Sequence, residues 1–313
     1  MEAAPFRHLP GDTRRSANAY WVQADDDIRL RIAFWPTEMP DPKGSILLFP
    51  GRTEYVEKYT QVAGDLNAAG YDVLSIDWRG QGMSDRLQPD QHTGHIGEFS
   101  DYQRDVIEMI IAATQLELPQ PWHLLAHSMG GCIGLAALHA DLPVKSVVFS
   151  APMWGINLRQ LPTRVALGIA WFADRVGRGG QPAPGGGGKK NYILDEAFST
   201  NLLTCDVDQW CQMLREAQAW PDITIGRASF DWVGKALVEC ARLAKMDSPA
   251  LPALVSLGSD EKVVSQAAIR NRVKQWPDAH LLEFDGVRHE VMMCLPEHRK
   301  RFLDSAIRHF NSV

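Results

Sequence analysis

Long apolar runs are absent from this sequence, which argues against a membrane-spanning helix. The longest apolar stretch that also contains small residues, VALGIAWFA, covers the nine residues 165–173, whereas a helix needs about 20 to cross a bilayer. The first residues carry charges and have no apolar segment of the kind found in secretory signals. We therefore expect a cytoplasmic protein, and peripheral contact with a membrane stays open.

An excess of positive charge is absent as well, which argues against a nucleic acid as partner. Lysine and arginine together number 32, aspartate and glutamate number 38, and the formal net charge is −6. A protein that neutralises phosphates along a nucleic acid needs a basic face. Hydrophobic residues make up 45% of the chain, which is enough for a sizeable core. We expect a folded protein that acts on a small molecule, and nothing in the sequence predicts a protein partner.

Cysteine motifs are absent too, although the chain has five cysteines. They form no C-x-x-C pair, and no cluster of cysteine and histidine has the spacing of a zinc site. The sequence therefore predicts neither a metal site nor a cofactor, and we expect reduced, mostly buried thiols. The residues concerned are Cys132, Cys205, Cys211, Cys240 and Cys294.

Strand and helix patterns alternate along the first half of the chain at the spacing of βαβ units. GSILLFPG (44–51) has the short apolar run expected of a strand buried on both faces, and YDVLSID (71–77) is the next predicted strand, with a helical pattern between them. Before them, YWVQA and IRLRIAFW predict a hairpin that turns at residues 25–27. The sequence therefore predicts an α/β fold with a mostly parallel sheet covered by helices.

This alternation stops after Pro152 and resumes near residue 247. Residues 153–246 show helical patterns but no convincing buried strand, and GRGGQPAPGGGGKK (177–190) has the composition of a flexible loop. We expect three segments: the first part of the core at residues 1–151, a helical cap or lid at 152–246, and the second part of the core at 247–313.

Ser128 lies between small residues, in the segment LLAHSMGG (124–131), at a predicted strand-to-helix junction. A serine on such a sharp turn projects above the strand ends, and its neighbours must be small because strand and helix almost touch there. Ala126, Gly130 and Gly131 meet that requirement, although the usual first glycine is replaced by Ala126. The pattern predicts a nucleophile.

A serine nucleophile needs a base and an acid that orients the base, in the chain order serine, acid, histidine. We predict His289 as the base because it follows the last predicted strand, whereas His280 and His298 fall at a strand start and in a helix. Asp260 follows the preceding strand and is the predicted acid. Two alternatives stay open: Glu261, expected to be a surface residue, and Asp285, expected to cap a turn.

The tetrahedral intermediate needs hydrogen-bond donors that are in place beforehand. The backbone N–H of Met129, directly after the serine, is one candidate. The backbone N–H of Arg52, in the loop that follows the strand at residues 46–49, is the other. Gly51 would allow that loop its sharp turn.

These motifs resemble the α/β-hydrolase superfamily, and within it the lysophospholipase and monoacylglycerol-lipase branch. The resemblance extends over nearly the whole chain. AHSMGG matches the usual G-H-S-M-G-G of that branch except at Ala126. The other similar segments are FPGRTEYVEKY (49–59, oxyanion loop), DWRGQGMSD (77–85, a structural turn), TNLLT (200–204) and ITIGRASFDWV (223–233, lid), GSDEKVV (258–264, acid loop) and GVRHEV (286–291, histidine loop).

The resemblance implies an α/β-hydrolase fold with a helical lid, and a serine hydrolase that cleaves single-chain acyl glycerolipids such as lysophospholipids or monoacylglycerols. Two other functions stay open: acyl transfer or perhydrolysis by the same triad, and ligand binding without catalysis. An aspartate nucleophile, as in dehalogenases and epoxide hydrolases, is excluded by Ser128. The tryptophans of the insertion are either core residues or the wall of an acyl-chain pocket.

Overall fold

Nine strands form a single sheet in the part of the chain that the computed structural model describes, residues 1–159, 161–184 and 191–313. Their order across the sheet is β1-β2-β3-β5-β4-β6-β7-β8-β9. In chain order the strands are β1 (Glu2–Ala3), β2 (Asn18–Gln23), β3 (Arg29–Trp35), β4 (Gly44–Phe49), β5 (Tyr71–Asp77), β6 (Trp122–His127), β7 (Val147–Ser150), β8 (Ala253–Gly258) and β9 (Ala279–Phe284).

The sheet is mostly parallel, as the sequence predicts. Each neighbouring pair from β5 to β9 in this order is parallel, and only the three pairs that join β1, β2, β3 and β5 are antiparallel. The predicted hairpin is the antiparallel pair β2–β3. Parallel strands end at the same edge of the sheet, so the loops after β4, β6, β8 and β9 lie close to one another.

Helices cover both faces of this sheet. The alternating side chains of β4 show why: Leu47 and Phe49 belong to one buried cluster with Met109 and Ile133, whereas Ile46 and Leu48 belong to the other. The helices are α1 (Thr60–Ala68), α2 (Tyr102–Gln115), α3 (Met129–Leu138), α4 (Thr163–Arg175), α5 (Tyr192–Asp195), α6 (Val207–Ala219), α7 (Phe230–Leu243), α8 (Gln266–Lys274) and α9 (Pro296–Phe310), with short 3₁₀ turns at Val56–Tyr59, Phe99–Asp101 and Val291–Met293. Among the described residues, no helix has both the length and the apolar character that a bilayer crossing requires.

The chain between β7 and β8 carries helices α4 to α7, and its described residues include no strand of the sheet. Of the segment expected to be a flexible loop, residues 185–190 lie outside the described residues. In the part before them, Pro182 forms an isolated β-bridge with Ser229, and the Phe230 N–H donates to the Gln181 carbonyl at 3.0 Å. This part of the loop is therefore attached to the start of α7.

A disulfide joins Cys205 to Cys294, so the expectation that all five thiols are free is wrong. The two cysteines are 89 residues apart in sequence but their Cα atoms lie 5.8 Å apart, because the segment before α6 packs on the loop before α9. The Thr204 hydroxyl donates to the Met293 carbonyl at 2.6 Å in the same place. Cysteine usage therefore gives no argument for a reducing compartment. Cys132 and Cys240 are free and buried, and Cys211 is free and exposed.

Candidate active site

Ser128 occupies a strained turn between β6 and α3. Its φ of 50° and ψ of −117° are unusual for a residue with a Cβ, and such conformations persist only where the surroundings hold them. The Ser128 N–H donates to Ser150 at 3.1 Å and its carbonyl accepts from Met153 at 2.8 Å. A Cβ at Gly130 would lie 2.2 Å from the Phe49 carbonyl oxygen. The small residue at position 130 therefore lets α3 start directly beside the end of β4.

The alanine at position 126 fits this turn without displacing the helix. Ala126 is fully buried on β6, and the helix residue that faces it is Gly134. A Cβ built on Gly134 would lie 3.5 Å from the Ala126 Cβ, which is ordinary contact. The Ala126 methyl group would thus be in ordinary contact even with a side chain at position 134, so it fits beside α3.

His289 connects the serine to a carboxylate. Its Nε2 lies 2.8 Å from the Ser128 Oγ and its Nδ1 lies 2.6 Å from the Glu261 Oε2. An ionised carboxylate only accepts hydrogen bonds, so Nδ1 carries the proton and Nε2 is left to accept the serine proton. The structure therefore brings together two of the predicted site residues, Ser128 and His289, with Glu261 as the third member.

The prediction of Asp260 as the acid is wrong. Its side chain is 39% exposed and pairs with Lys262 at 2.5 Å and with Arg288 at 4.0 Å. Glu261, expected at the surface, is 3% exposed. After β8 the chain turns so that residue 260 faces outward and residue 261 faces inward, where Glu261 also accepts from the N–H groups of Val263 and Val264 at 2.5 and 3.0 Å.

The remaining alternative for the acid, Asp285, lies in the turn after β9. Its Oδ1 accepts from the Ser259 hydroxyl at 3.1 Å, and the same hydroxyl accepts from the Gly286 N–H at 2.8 Å. Asp285 thus takes part in an exposed turn, in the kind of role that the sequence analysis gave it.

The acid loop and the histidine loop meet because Gly258 allows their backbones to touch. A Cβ at Gly258 would lie 2.1 Å from the Val287 carbonyl oxygen. The same carbonyl accepts from the Asp260 N–H at 3.0 Å. This backbone contact places Glu261 and His289 within hydrogen-bond distance although they come from different loops.

Burial and charge act in opposite directions on the imidazole. Burial lowers the pKa of His289, but the adjacent Glu261 carboxylate outweighs it, with smaller contributions from Glu290 and Glu54, and the net pKa is raised. For Glu261, burial raises the pKa, and the imidazolium and the two backbone N–H groups more than reverse this, so its net pKa is lowered. The pair is thus arranged to stabilise a charged imidazole beside a carboxylate.

The loop after β4 leaves one backbone donor free next to the serine. The Gly51 N–H is held by the Glu54 carboxylate, and the Thr53 N–H donates to Gln81 Oε1 at 2.6 Å. Between them, the Arg52 N–H has no acceptor within residues 1–159, 161–184 and 191–313. Met129 is the first residue of α3, a position whose N–H has no acceptor within a helix. Both predicted oxyanion donors are therefore uncommitted.

A buried charge cluster supports this loop, and it is a feature that the sequence analysis missed. The Lys58 Nζ lies 2.7 Å from Glu54 and 2.6 Å from Glu290, the residue after His289. Burial raises the pKa of Glu54, but Lys58 and His127 more than compensate and bring it to about 2. Lys58 thus links the oxyanion loop to the histidine loop.

The same cluster has three potential metal ligands, in Glu54, His127 and Glu290, whose ligand atoms lie within 4.8 Å of one another. The ammonium group of Lys58 already bridges the two carboxylates. Burial lowers the pKa of His127 to about 4, and its Nδ1 donates to the Ser150 carbonyl at 3.0 Å. The position that a cation would take is therefore held by lysine.

A cavity of about 310 Å³ opens above Ser128; most of its surface is apolar, although polar and charged side chains also line it. Core and insertion both contribute to its wall, and the insertion's contribution includes Leu202, Leu203, Met213 and Ala217. Four tryptophans of residues 152–246 are buried, whereas Trp171 is 67% exposed. Of these five, Trp232 lines the cavity. Trp154, Trp210 and Trp220 are thus core residues, Trp232 is part of the cavity wall, and Trp171 is at the surface.

The motif TNLLT packs directly on the histidine loop. The carbonyls of Leu202 and Leu203 accept from the N–H groups of His289 at 3.4 Å and Glu290 at 2.9 Å. With the disulfide that follows, this motif holds the loop that carries His289 against the insertion. A residue of the insertion therefore helps to position the imidazole.

The comparisons with known proteins agree with this geometry. Residues 40–293 match the family described as serine aminopeptidase, S33. The chain is 33% identical to lysophospholipase L2 of Escherichia coli strain K12, over 78% of this chain and 73% of that protein. It is 32% identical to the probable lysophospholipase L2 of Haemophilus influenzae, over 86% and 83%. A soluble variant of monoglyceride lipase from Saccharomyces cerevisiae, solved with a substrate analog, has a TM-score of 0.74 at 16% identity and covers 99% of both chains.

The chain therefore belongs to the serine aminopeptidase S33 family, a family of α/β hydrolases. The predicted superfamily and its lysophospholipase and monoacylglycerol-lipase branch are confirmed. The predicted class of protein, an enzyme of the carboxylic ester hydrolase type, is confirmed with them.

Proposed function

We propose that the protein cleaves carboxylic esters of single-chain glycerolipids through an acyl-enzyme on Ser128. The observation that carries this proposal is the hydrogen-bonded series Ser128 Oγ, His289 and Glu261, at 2.8 and 2.6 Å. The series lies in a cavity with a mostly apolar surface, beside two uncommitted backbone N–H groups. Lysophospholipids and monoacylglycerols are the substrate classes that the names of the relatives suggest.

In the first half of the reaction the Ser128 hydroxyl attacks the ester carbonyl while His289 Nε2 takes its proton. The carbonyl oxygen becomes an oxyanion, which the N–H groups of Arg52 and Met129 stabilise. The imidazolium, next to the Glu261 carboxylate, then gives its proton to the departing alcohol as the carbon–oxygen bond breaks. A water molecule repeats the sequence on the acyl-enzyme, which releases the fatty acid and restores Ser128.

We expect activity to rise with acyl-chain length, because the cavity can remove apolar methylene groups from water. Each buried methylene contributes about 0.8 kcal/mol, or roughly a fourfold gain in kcat/KM. The measurement is hydrolysis of p-nitrophenyl esters from acetyl to octanoyl, each below its micellar concentration, with Ser128→Ala as the blank. A strong preference for acetyl would contradict an acyl-chain pocket.

We assign residues 152–246 to a cap over the active site. The cavity wall formed by α6 and the TNLLT motif supports this boundary, as does the parallel pairing of β7 with β8 across the insertion.

The exposed surface of α4 supports a second role for the cap, contact with a lipid surface. Its small residues Ala166, Ala170 and Ala173 are buried, whereas four of its five large apolar residues are exposed: Val165 (47%), Ile169 (43%), Trp171 (67%) and Phe172 (61%).

This arrangement is the reverse of an ordinary surface helix, and it leaves apolar area available for insertion among lipids. Arg164 and Arg175 add positive charge on the same helix, which favours an anionic surface. We expect the protein to sediment with phosphatidylcholine vesicles that contain phosphatidylglycerol. The double variant Trp171→Ser/Phe172→Ser should bind them at least about tenfold more weakly, because two large apolar side chains are lost.

The matched control for this experiment is Ile107→Ser, which removes an apolar side chain of similar exposure (57%) from the core helix α2. Its vesicle binding should equal that of the wild type. Equal binding by all three proteins, or loss of binding by the control alone, would contradict contact through α4.

A further inference from the structure

The cavity above Ser128 contains an arginine side chain that forms no ion pair with a carboxylate of the described residues. Arg52 lines this cavity. Its Nη2 donates to the Gly226 carbonyl at 2.8 Å, and its guanidinium carbon lies 5.0 Å from the centroid of the Trp232 ring. Its Nε is buried without a hydrogen-bond partner, and Nη1 has none in the described ranges. Of the five N–H donors of this guanidinium, one is in a hydrogen bond within the described ranges, and the guanidinium also packs on the tryptophan ring. Most of its hydrogen-bonding capacity is therefore unused.

Arg52 is half-buried, and the fully buried arginines among the described residues are Arg31, Arg79 and Arg272. Arg272 donates to the carbonyls of Leu243 and Met246, whereas the other two have carboxylate partners. Arg31 pairs with both Glu57 and Asp77 at 2.7 Å. Arg79 pairs with Asp105 and Asp26, also at 2.7 Å. A charge without such partners is costly to bury. Burial accordingly lowers the pKa of Arg52 to about 10, and the one other group that affects this pKa is the Tyr102 phenol.

The guanidinium of Arg52 fits in its position because residue 94 is a glycine. A Cβ at Gly94 would lie 2.5 Å from the Arg52 Nη2 and 3.2 Å from its Cζ. Gly94 is itself fixed, because its N–H donates to the Arg227 carbonyl at 2.9 Å and its carbonyl accepts from Ser229 at 2.8 Å. The side chain of Arg52 is therefore held in a formed position by the cap residues around α7.

The carboxylates in the cavity wall, Glu54 and Glu290, are already paired with another cation. Glu54 and Glu290 are both bound by Lys58, and Asp260 is paired with Lys262. An anion brought by the substrate would therefore meet free guanidinium donors, which suit phosphate and carboxylate geometry.

We propose that the Arg52 side chain determines specificity by binding an anionic group, a phosphate monoester or diester or a carboxylate, on the alcohol part of the ester. The backbone N–H of Arg52 is a proposed oxyanion donor. The distance from the reacting carbonyl to the guanidinium is therefore about the length of one arginine side chain. A glycerol unit with an ester at one end and an anion at the other has a comparable length. This inference rests on the proposed ester hydrolysis at Ser128 and adds the charge of the substrate to it.

The test compares three octanoyl esters that differ only in the alcohol: 1-octanoylglycerol, 1-octanoylglycerol 3-phosphate and 3-octanoylglycerate. The wild type should prefer the two anionic esters, and the better of these two identifies the anion. In Arg52→Gln the ratio of kcat/KM for the anionic ester to that for the neutral ester should fall roughly 10- to 100-fold, the usual effect of losing a charged hydrogen bond. Arg52→Lys should retain part of the preference.

Arg215→Gln is the matched control, because Arg215 is an exposed arginine of α6 outside the cavity wall, where it donates to Gln212 at 2.8 Å. Its ratio should stay within about threefold of the wild type, a range typical of exposed charges. An unchanged ratio in Arg52→Gln, an equal loss for all three esters, or an equal shift in Arg215→Gln would overturn the proposal.

Measurements on the wild type keep the proposal falsifiable if Arg52→Gln does not fold. Glycerol 3-phosphate should inhibit hydrolysis of 1-octanoylglycerol, and glycerol at the same concentration should not. Equal kcat/KM for all three esters would overturn the role of Arg52 and leave the proposed hydrolase intact. Hydrolysis of none of them would instead overturn the proposed function.

Discussion

Ser128→Ala is expected to lower ester turnover by roughly 10⁴-fold or more, since it removes the atom that becomes acylated. The Oγ of Ser128 is the atom that His289 Nε2 faces at 2.8 Å. The backbone donors would remain, so a small residual rate above that of water is also expected. The measurement is kcat/KM with p-nitrophenyl octanoate, together with labelling by a fluorophosphonate.

The control for this variant is Ser305→Ala, on the exposed side of α9, where the hydroxyl donates to the Arg301 carbonyl at 2.8 Å. That protein should keep wild-type turnover and full labelling. If Ser128→Ala retained near-normal turnover, the protein would use another nucleophile. If the wild type bound lipid but neither turned over nor became labelled, it would be a ligand-binding member of the family.

Glu261→Gln is expected to lower kcat/KM by roughly 10³- to 10⁴-fold, the loss known for amide substitutions of a triad acid. A glutamine keeps an acceptor for the Val263 and Val264 N–H groups, so the loop should still fold. Its NH₂ group, however, would face His289 Nδ1 and favour the tautomer that carries the proton on Nε2. That imidazole cannot take the serine proton.

The pH profile separates this role from a purely structural one. Catalysis needs neutral His289, so activity falls as the pH decreases through the pKa of His289, which the Glu261 carboxylate holds above its ordinary value. Without that charge the pKa decreases, and the acidic limb of residual kcat/KM should move to lower pH. Fluorophosphonate labelling rates measured against pH would report the same shift.

Asp260→Asn is the matched control, an amide substitution one residue away. Because Asp260 is exposed and paired with Lys262, its loss should change kcat/KM by less than about threefold. The reverse result, a severe loss in Asp260→Asn and a mild one in Glu261→Gln, would restore Asp260 as the acid and contradict the geometry described above.

Much of the fold was predictable because its signals are local. A strand buried on both faces is mostly apolar, and β4 is so from Ile46 to Phe49, with alternate side chains in the two cores. The turn at Ser128 was predictable for the same reason, since the crowding at Gly130 involves the end of a neighbouring strand and leaves a pattern of small residues.

The acid could not be assigned from sequence, because Asp260 and Glu261 are adjacent and both follow β8. The choice depends on which side of the chain faces the Val287 carbonyl, a contact between two loops. The pairing of Cys205 with Cys294 and the bridging position of Lys58 likewise depend on segments distant in sequence. Glu54 stood inside a recognised motif, GRTE, but its partners Lys58 and Glu290 lie in different loops.

Trapping the covalent intermediate tests the acyl-enzyme most directly. The wild type is mixed with p-nitrophenyl octanoate, quenched in acid within the first turnovers, digested and analysed by mass spectrometry. An octanoyl group is predicted on the Ser128 side chain, at a level that decays as octanoate forms. Rapid release of octanoate with no acyl group on Ser128, or with one on a different residue, would contradict the account.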